Sequence, residues 1–449
     1  MQTGFPDGFL WGAASAAAQV EGAYAADGRT PSIWDVVYPG NTAYNEHPHV
    51  ACDHYHRYKE DVALMKALGL KTYRFSVSWS RVIPGGVGAV NPKGIAFYQN
   101  LVAELLAAGI EPIVTLYHWD LPYILHRQGG WMNDNMPDWF AAYTKVVVDA
   151  LSDGVRYWCT INEPQCFVGL GYEQGVHAPF YREKPSLAAI TRNVLLSHGR
   201  AVLAIRKYAK TTPLVGFAPC GKVYLPDEES PEAIQAAYDK TFGPPESAFD
   251  IAWFCDAPIL GKFPQAVCDY LGVEQVLTET DMETVHQKLD FFGFNIYNGH
   301  SLTKQPEHGS FSGTYQQGCP VTAMDWPITP DALYWSAHFT HTRYQLPVLF
   351  TENGMANADF VMGDGKVHDP QRIDFLRGYL TGLKRAIAEG VPVMGYTYWS
   401  ILDNYEWALG YSKRFGLVHV DYQTQTRTLK ESAFWYRDVI ATNGADISR

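Results

Sequence analysis

The segment WCTINEP, residues 158–164, ends a run from Val155 to Ile161 that reads as buried strand, and it ends that run with an asparagine and a glutamate. Packing alone gives no reason for a carboxylate there, because buried polar and charged groups persist where they are paired or used. The pattern recurs along the chain. Eight short apolar runs each end in polar or aromatic residues: FLWGAASAAAQ (9–19), TYRFSVSW (72–79), PIVTLYHW (112–119), YWCTINE (157–163), PLVGFAPC (213–220), FFGFNIY (291–297), PVLFTEN (347–353) and VMGYTYWS (393–400). Between them apolar residues recur at three- and four-residue spacing. The clearest case is DHYHRYKEDVALMKALG, where Tyr55, Tyr58, Val62, Met65 and Leu68 share a face, Asp53 stands in the capping position and Gly69 follows. Similar patterns fill 93–108, 137–152, 186–209, 331–345, 370–388 and 430–441. Strands that are apolar throughout, alternating with helices, indicate a parallel sheet covered by helices. Eight such units suit a closed (β/α)8 TIM barrel, with an open doubly wound sheet as the alternative. The barrel is favoured because Gln19, Arg74, His118, Asn162, Glu163, Asn295, Tyr297, Glu352 and Trp399 all fall at strand ends, the face on which such barrels build their sites.

A barrel of this kind needs about 250 residues, so the remainder is expected in long βα loops, notably 20–52, 298–330 and 401–421. No linker, repeat or low-complexity segment cuts the 449 residues, and one catalytic domain over 1–449 is expected. With 47% hydrophobic and 18% charged residues the composition is that of a soluble protein with a large core. A formal net charge of −12 gives no general attraction to nucleic acid or anionic lipid, so neither is expected as a partner. No apolar run approaches the length of about 18 residues that a membrane span requires. The first residues, MQTGFPDGFLWGAASAAAQVEG, contain a small-residue run, but no Lys or Arg precedes Arg29 and the apolar stretch is interrupted; they read as mature protein, not as a signal peptide. Seven cysteines without a CxxC pair, and no Asn-x-Ser/Thr sequon, point to the cytoplasm. Aromatic residues make up 14% of the chain, which suits either an aromatic core or a site for flat, partly apolar ligands such as sugar rings.

Glu163 has a counterpart in PVLFTENGM, where Glu352 again ends a buried strand. At roughly 56 residues per unit the two lie a little over three units apart, consistent with strands 4 and 7 facing each other across the barrel mouth. Two facing carboxylates suit glycoside hydrolysis, in which one gives a proton to the leaving oxygen and the other attacks the anomeric carbon or activates water. A separation of roughly 5–5.5 Å means retention and roughly 6.5–9.5 Å inversion, and the residues alone leave that open.

Over essentially its whole length the chain resembles a family 1 glycoside hydrolase, a β-glucosidase. The stretches that carry the resemblance are FLWGAASAAAQVEG, SIWD, ACDHYHRYKEDVALMKALGLKTYRFSVSWSRVIP, YHWDLP, TINEP, HAP, FTENG and WSILDNYEW followed by GYSKRFGLVHVDY, in order. The resemblance implies a retaining barrel enzyme in which Glu163 is the acid/base, Glu352 the nucleophile, and Arg74 and Tyr297 keep Glu352 ionised. It implies no cofactor and no metal, and as ligand a small β-glucoside or short oligosaccharide. Gln19, His118, Trp119, Asn162, Asn295, Trp399, Glu406 and Trp407 would line the glycone site, with Asn162 at the 2-hydroxyl, Trp399 as floor, and Gln19, Glu406 and Trp407 at the far hydroxyls. Trp326, in MDWPI, resembles the aromatic platform on the leaving-group side. Tyr123 follows DLP where glutamine is common, and FNIYN stands where NYY is usual, so the chain departs from the family there.

Family members that act on 6-phosphoglycosides replace the glutamate at position 406 with serine and add lysine and tyrosine nearby. Here Lys413 is present but Phe415 takes the place of the tyrosine, and the carboxylate of Glu406 would repel a phosphate. An unphosphorylated sugar is therefore expected, with 6-phospho-β-glucosidase and a catalytically silent carbohydrate-binding relative as alternatives. Mixed specificity for β-galactosides or β-fucosides and transglycosylation are expected side activities. HPHVACDHYH offers His47, His49, Cys52, His54 and His56, but its two-residue steps differ from zinc-site spacings. PGGVGAVNPKG lacks the GK[ST] ending of a phosphate loop, GLGYEQG misses the dinucleotide spacing, and neither GxSxG nor HExxH occurs. Cys159, inside the fourth strand, reads as core.

Overall fold

The computed structural model describes residues 4–305, 311–313 and 318–447 of the chain. Eight strands, β1 (Leu10–Ala14), β2 (Thr72–Ser76), β3 (Glu111–Tyr117), β4 (Tyr157–Asn162), β5 (Leu214–Ala218), β6 (Phe291–Asn295), β7 (Val348–Asn353) and β8 (Val393–Trp399), close into a barrel in sequential order. Every neighbouring pair is parallel, and β8 returns to β1 with Leu10 opposite Gly395 and Ala14 opposite Trp399. All eight expected strands are present, and seven of them stop short of the expected C-terminal end, β7 alone running to Asn353. The trimming matters for function: Gln19 lies on the short helix Ala17–Val20, and His118, Trp119 and Tyr297 lie in the first turns after their strands.

The strands are apolar on both sides because both sides are covered. Ile113, Cys159, Ala218, Phe291 and Leu349, one from each of β3 to β7, form their own cluster inside the barrel. The outward residues join the much larger core made with the helices. Cys159 is fully buried, as expected of a core residue.

The long helices His54–Ala67, Pro92–Ala107, Met136–Leu151, Leu187–Tyr208, Ala332–Tyr344, Pro370–Ala388 and Glu431–Ala441 match the periodic stretches of the sequence. Gly69, with φ +72°, takes up the left-handed conformation just past the first of them, where a side chain is disfavoured. Asp53 does not cap that helix as expected. It adopts φ +49°, which turns its carboxylate away from the helical N–H groups and onto His56 Nδ1 at 2.5 Å.

Between β5 and β6 the sequence reading had no elements, whereas the structure has four helices, Pro231–Thr241, Ile251–Leu260, Gln265–Leu271 and Glu279–Val285. Gln265–Leu271 and Glu279–Val285 are short, Pro231–Thr241 buries only the small residues Ala233, Ala237 and Thr241, and Ile251–Leu260 is apolar almost all round and contains Pro258, so no helical period shows. The expected long loop 298–330 carries strand His300–Lys304, which pairs with Tyr224–Pro226 on one side and with strand Phe311–Gly313 on the other; its residues 306–310 and 314–317 lie outside the described residues. No described helix is long and apolar enough to cross a membrane.

Candidate active site

The ends of the strands open into a cavity of 560 Å³, lined among others by His118, Trp119, Glu163, Asn295, Tyr297, Trp326, Glu352, Trp399, Glu406 and Trp407. Gln19, Arg74 and Asn162 stand immediately behind this lining, each at most 1% exposed.

Glu163 reaches the cavity through a sharp local turn. Its N–H still donates to the carbonyl of Ala218 on β5 at 2.8 Å, but its φ is +41°, and Pro164 then opens the helix Pro164–Val168. Proline has no N–H to continue the sheet and its fixed φ suits the first helical position, so the strand ends here by sequence. Asn295 Nδ2, at the end of β6, donates to Glu163 Oε1 at 2.8 Å and to Asn162 Oδ1 at 2.9 Å.

Glu352 is held differently. Arg74 Nη1 donates to its Oε1 at 2.6 Å and the Tyr297 hydroxyl to its Oε2 at 2.7 Å. Arg74 is fixed in turn by Asn162 Oδ1 at 2.6 Å, Thr115 Oγ1 at 3.0 Å and the Thr351 carbonyl at 3.2 Å. Thr351 Oγ1 also donates to Asn295 Oδ1 at 2.6 Å. One buried cation therefore orders both halves of the site.

The two carboxyls consequently differ in acidity. Burial, and then the negative charge of Glu352, push Glu163 up to about 8, with the Asn295 bond opposing the rise. Burial also raises Glu352, but Arg74 and Tyr297 pull it back, so it is the member that ionises first. Glu406 is pushed up to about 8 by burial and by the two neighbouring carboxylates.

The rest of the lining is aromatic and held from behind. His118 stacks beside Trp399 with ring centres 5.7 Å apart, and Trp119 packs on Trp407 at 4.7 Å. Trp119 Nε1 donates to the Asn162 carbonyl at 3.1 Å, so this indole braces the wall with its N–H already used. Asn162 Oδ1 accepts from Arg74 and Asn295, which turns its Nδ2 toward His118 Nε2 at 3.0 Å. His118 must accept there, so its proton is assigned to Nδ1. Burial and the Arg74 charge keep the ring neutral, its basicity held well below the usual histidine range. Among the described residues His118 Nδ1 and Gln19 Oε1 have no hydrogen-bond partner, while Gln19 Nε2 is used by Asn404 Oδ1 at 3.0 Å and the Tyr405 carbonyl at 2.8 Å. A buried donor and a buried acceptor beside the cavity suit a polyhydroxylated ligand. Trp326 packs on Tyr297 and Phe415 with centres 5.2 and 6.1 Å away.

Sequence reasoning missed Thr115 and Thr351, which fix Arg74 and Asn295. The available signal was a threonine at a fully buried position of an otherwise apolar strand. It also missed Cys220 and Phe249, cavity residues contributed by the end of β5 and the segment after it.

The glycosyl hydrolase family 1 model matches residues 1–445. Beta-glucosidase A of Thermotoga maritima is 41% identical over 98% of this chain and 99% of its own length. The structure of the Thermotoga maritima β-glucosidase in complex with glucoimidazole superposes with a TM-score of 0.89, covering 98% of this chain and 100% of that one. An aryl-phospho-beta-D-glucosidase of Bacillus subtilis, BglC, is 37% identical over 99% of this chain and 98% of its own length. With the family model matched almost end to end on a closed eight-stranded parallel barrel, the chain belongs to glycosyl hydrolase family 1, a family of retaining O-glycosyl hydrolases.

Proposed function

We propose that this protein is a β-glucosidase that removes terminal, non-reducing β-D-glucosyl residues from unphosphorylated β-glucosides and cello-oligosaccharides. The observation that carries the reading is the unequal treatment of two carboxyls in one cavity: Glu163 is held protonated, and Glu352 is clamped between Arg74 and Tyr297. In the first step Glu163 gives its proton to the leaving oxygen while Glu352 attacks the anomeric carbon and forms a glycosyl ester. Esterification removes the charge of Glu352, the second-largest cause of the raised pKa of Glu163. Glu163 then becomes more acidic, and its carboxylate deprotonates the water that releases the sugar. Other acceptors can take the place of that water, which makes transglycosylation a side reaction of the same intermediate. Asn162, Gln19, His118, Trp399, Glu406 and Trp407 form the glycone side in this reading and Trp326 the leaving-group side. The glucosidase names of the relatives at 41% identity support glucose as the sugar.

The phosphoglucosidase relative makes 6-phosphoglucosides the second reading, and the cavity speaks against it. Among the described residues the only lysine or arginine lining it is Lys222, which is engaged by Ser247 Oγ at 2.9 Å and Asp250 at 3.3 Å. Lys413 donates to the Ala323 carbonyl at 2.7 Å, and Glu406 occupies the wall. A phosphate would meet carboxyls without a free cation. The absence of disulfides among the cysteines fits a cytoplasmic location.

Proton NMR of aryl β-D-glucoside hydrolysis tests the proposal. β-Glucose is expected to appear first, before mutarotation. α-Glucose first would remove Glu352 as nucleophile, no glucose would point to another sugar or to a binding protein, and a higher kcat/KM on the 6-phosphoglucoside would overturn the specificity.

A further inference from the structure

Two thiols meet at the wall of the cavity beside Glu163. Cys166 lies in the helix that starts directly after Glu163, and Cys220 lies two residues beyond β5. Both are half-buried, both line the cavity, and their sulfurs stand 3.6 Å apart. A carboxylate oxygen of Glu163 and the two sulfurs all lie within 4.8 Å of one another. Among the described residues no other three histidine, cysteine, aspartate or glutamate ligand atoms converge in this way. The histidines of HPHVACDHYH form no such group: His47 and His49 stack with ring centres 3.8 Å apart and His49 Nε2 meets the Asp35 carbonyl at 3.0 Å, while His54 bonds Asp61 at 2.7 Å and His56 bonds Asp53 at 2.5 Å.

The spacing has a specific fit. Tetrahedral zinc with arms of about 2.3 Å to sulfur sets its two sulfurs about 3.8 Å apart, so the observed 3.6 Å needs almost no adjustment. A disulfide would need the sulfurs to close to about 2.05 Å. Two thiolates and a carboxylate are a donor set that zinc accepts, and the fourth position faces the cavity. The nearby charge of Lys222 is taken up by Asp250 at 3.3 Å.

We propose that Glu163, Cys166 and Cys220 form an inhibitory site for a thiophilic divalent cation of the zinc type, with its fourth position open to the cavity. On binding, the two thiols and the protonated Glu163 carboxyl lose their three protons to solvent, and the thiolate sulfurs share the ion with the resulting Glu163 carboxylate. The ion then occupies the oxygen that would carry the proton to the leaving group, and it stands where the leaving group must pass. The inhibition rests on Glu163 being the proton donor, as proposed above; the binding does not.

The experiment has two arms on the metal-free, full-length protein. Zn²⁺ is titrated during turnover of an aryl β-D-glucoside, and Cd²⁺ is titrated without substrate while thiolate-to-metal charge transfer is followed in the ultraviolet. One Cd²⁺ per chain is expected to develop the band, and Zn²⁺ to inhibit reversibly with a chelator. Cys166→Ser and Cys220→Ser should each lose the band and raise the half-inhibiting Zn²⁺ concentration about tenfold or more, relative to that variant's own metal-free rate. A band without inhibition would support the cation site and count against Glu163 as donor. No band in the wild-type protein at stoichiometric Cd²⁺, or unaltered Zn²⁺ sensitivity in both serine variants, would overturn the proposal. The wild-type Cd²⁺ arm decides the matter even if a variant fails to fold.

Discussion

Glu163 and Glu352 are chemically the same side chain in the same cavity, and everything that separates their roles comes from what touches them. The proton on Glu163 is needed for leaving-group departure and the charge on Glu352 for attack, so kcat/KM should fall as pH rises through about 8, where Glu163 deprotonates. Tyr297→Phe removes the 2.7 Å hydroxyl donor from Glu352. The Glu352 pKa should rise, moving the acidic limb of the profile to higher pH while the alkaline limb stays near its place, and kcat/KM should drop about tenfold to a hundredfold. A uniform loss of activity at all pH values would mean that Tyr297 acts on something other than the charge of Glu352. The same burial has a cost in stability. A carboxyl whose folded pKa is raised disfavours folding once pH exceeds its unfolded value near 4.5, and this penalty grows until pH reaches about 8. Glu163→Gln keeps the acceptor for Asn295 but has no proton to lose, so at pH 7 it should abolish acid catalysis yet raise unfolding stability by about 1–3 kcal/mol, with no gain at pH 4. The two glutamates were legible in the sequence because a carboxylate at the end of an apolar run is out of place. Their unequal acidity was implied only by the family resemblance, because it depends on Arg74 arriving from β2 and on Asn295 and Tyr297 from the end of β6.

At the scale of the element, the strands were readable because burial on both sides leaves no alternation, and the principal helices because one face is buried and the other wet. The helices between β5 and β6 were not readable, because Ile251–Leu260 is buried nearly all round, Pro231–Thr241 buries only the small residues Ala233, Ala237 and Thr241, and the other two are too short to show a period. The long reach of Glu352's own strand has a further requirement that only the structure reveals. Gly354, two residues after the nucleophile, lies so close to β8 that an added Cβ would stand 1.9 Å from the Trp399 carbonyl oxygen and 3.2 Å from the Tyr398 ring. Both neighbours are fixed, the first being backbone and the second buried, so the β7 end must move instead. Gly354→Ala should destabilise the protein by about 1–3 kcal/mol and displace Glu352 and the Trp399 floor together, lowering kcat well beyond any change in KM. Thermal unfolding and steady-state kinetics on the same preparation would check it, and wild-type values for both would show that the loop relaxes freely.

For the whole molecule the barrel must be closed between its first and last strands, and the C-terminal helix Glu431–Ala441 spans that seam. Tyr436 on this helix donates to the Gly12 carbonyl of β1 at 2.9 Å, and just beyond it Asn443 bonds the Phe5 carbonyl at 2.7 Å and the Trp11 indole at 2.9 Å. Its first turn is fixed by a buried ionic cluster: Lys430 lies between Asp359, which follows β7, at 2.5 Å and Asp403, which follows β8, at 2.7 Å. Arg372 meets Asp359 at 2.7 Å and also pairs with Asp369, and Arg414 meets Asp403 at 2.7 Å. Lys430 is fully buried, so its charge is maintained by its partners and theirs by it. Lys430→Met would fill much the same space but leave Asp359 and Asp403 each short of a partner in the interior. The expected loss is about 3–5 kcal/mol, read as a lower midpoint in denaturant unfolding. None of these residues lines the cavity, so kcat of the folded fraction at low temperature should stay near that of the wild type. Raising the pH through the lysine range is no substitute for the mutation, since it deprotonates every exposed lysine as well. If Lys430→Met unfolded at the wild-type midpoint, the cluster would not be what secures the last helix, and its hold on the seam between β8 and β1 would have to rest on contacts such as those of Ser432, Tyr436 and Asn443.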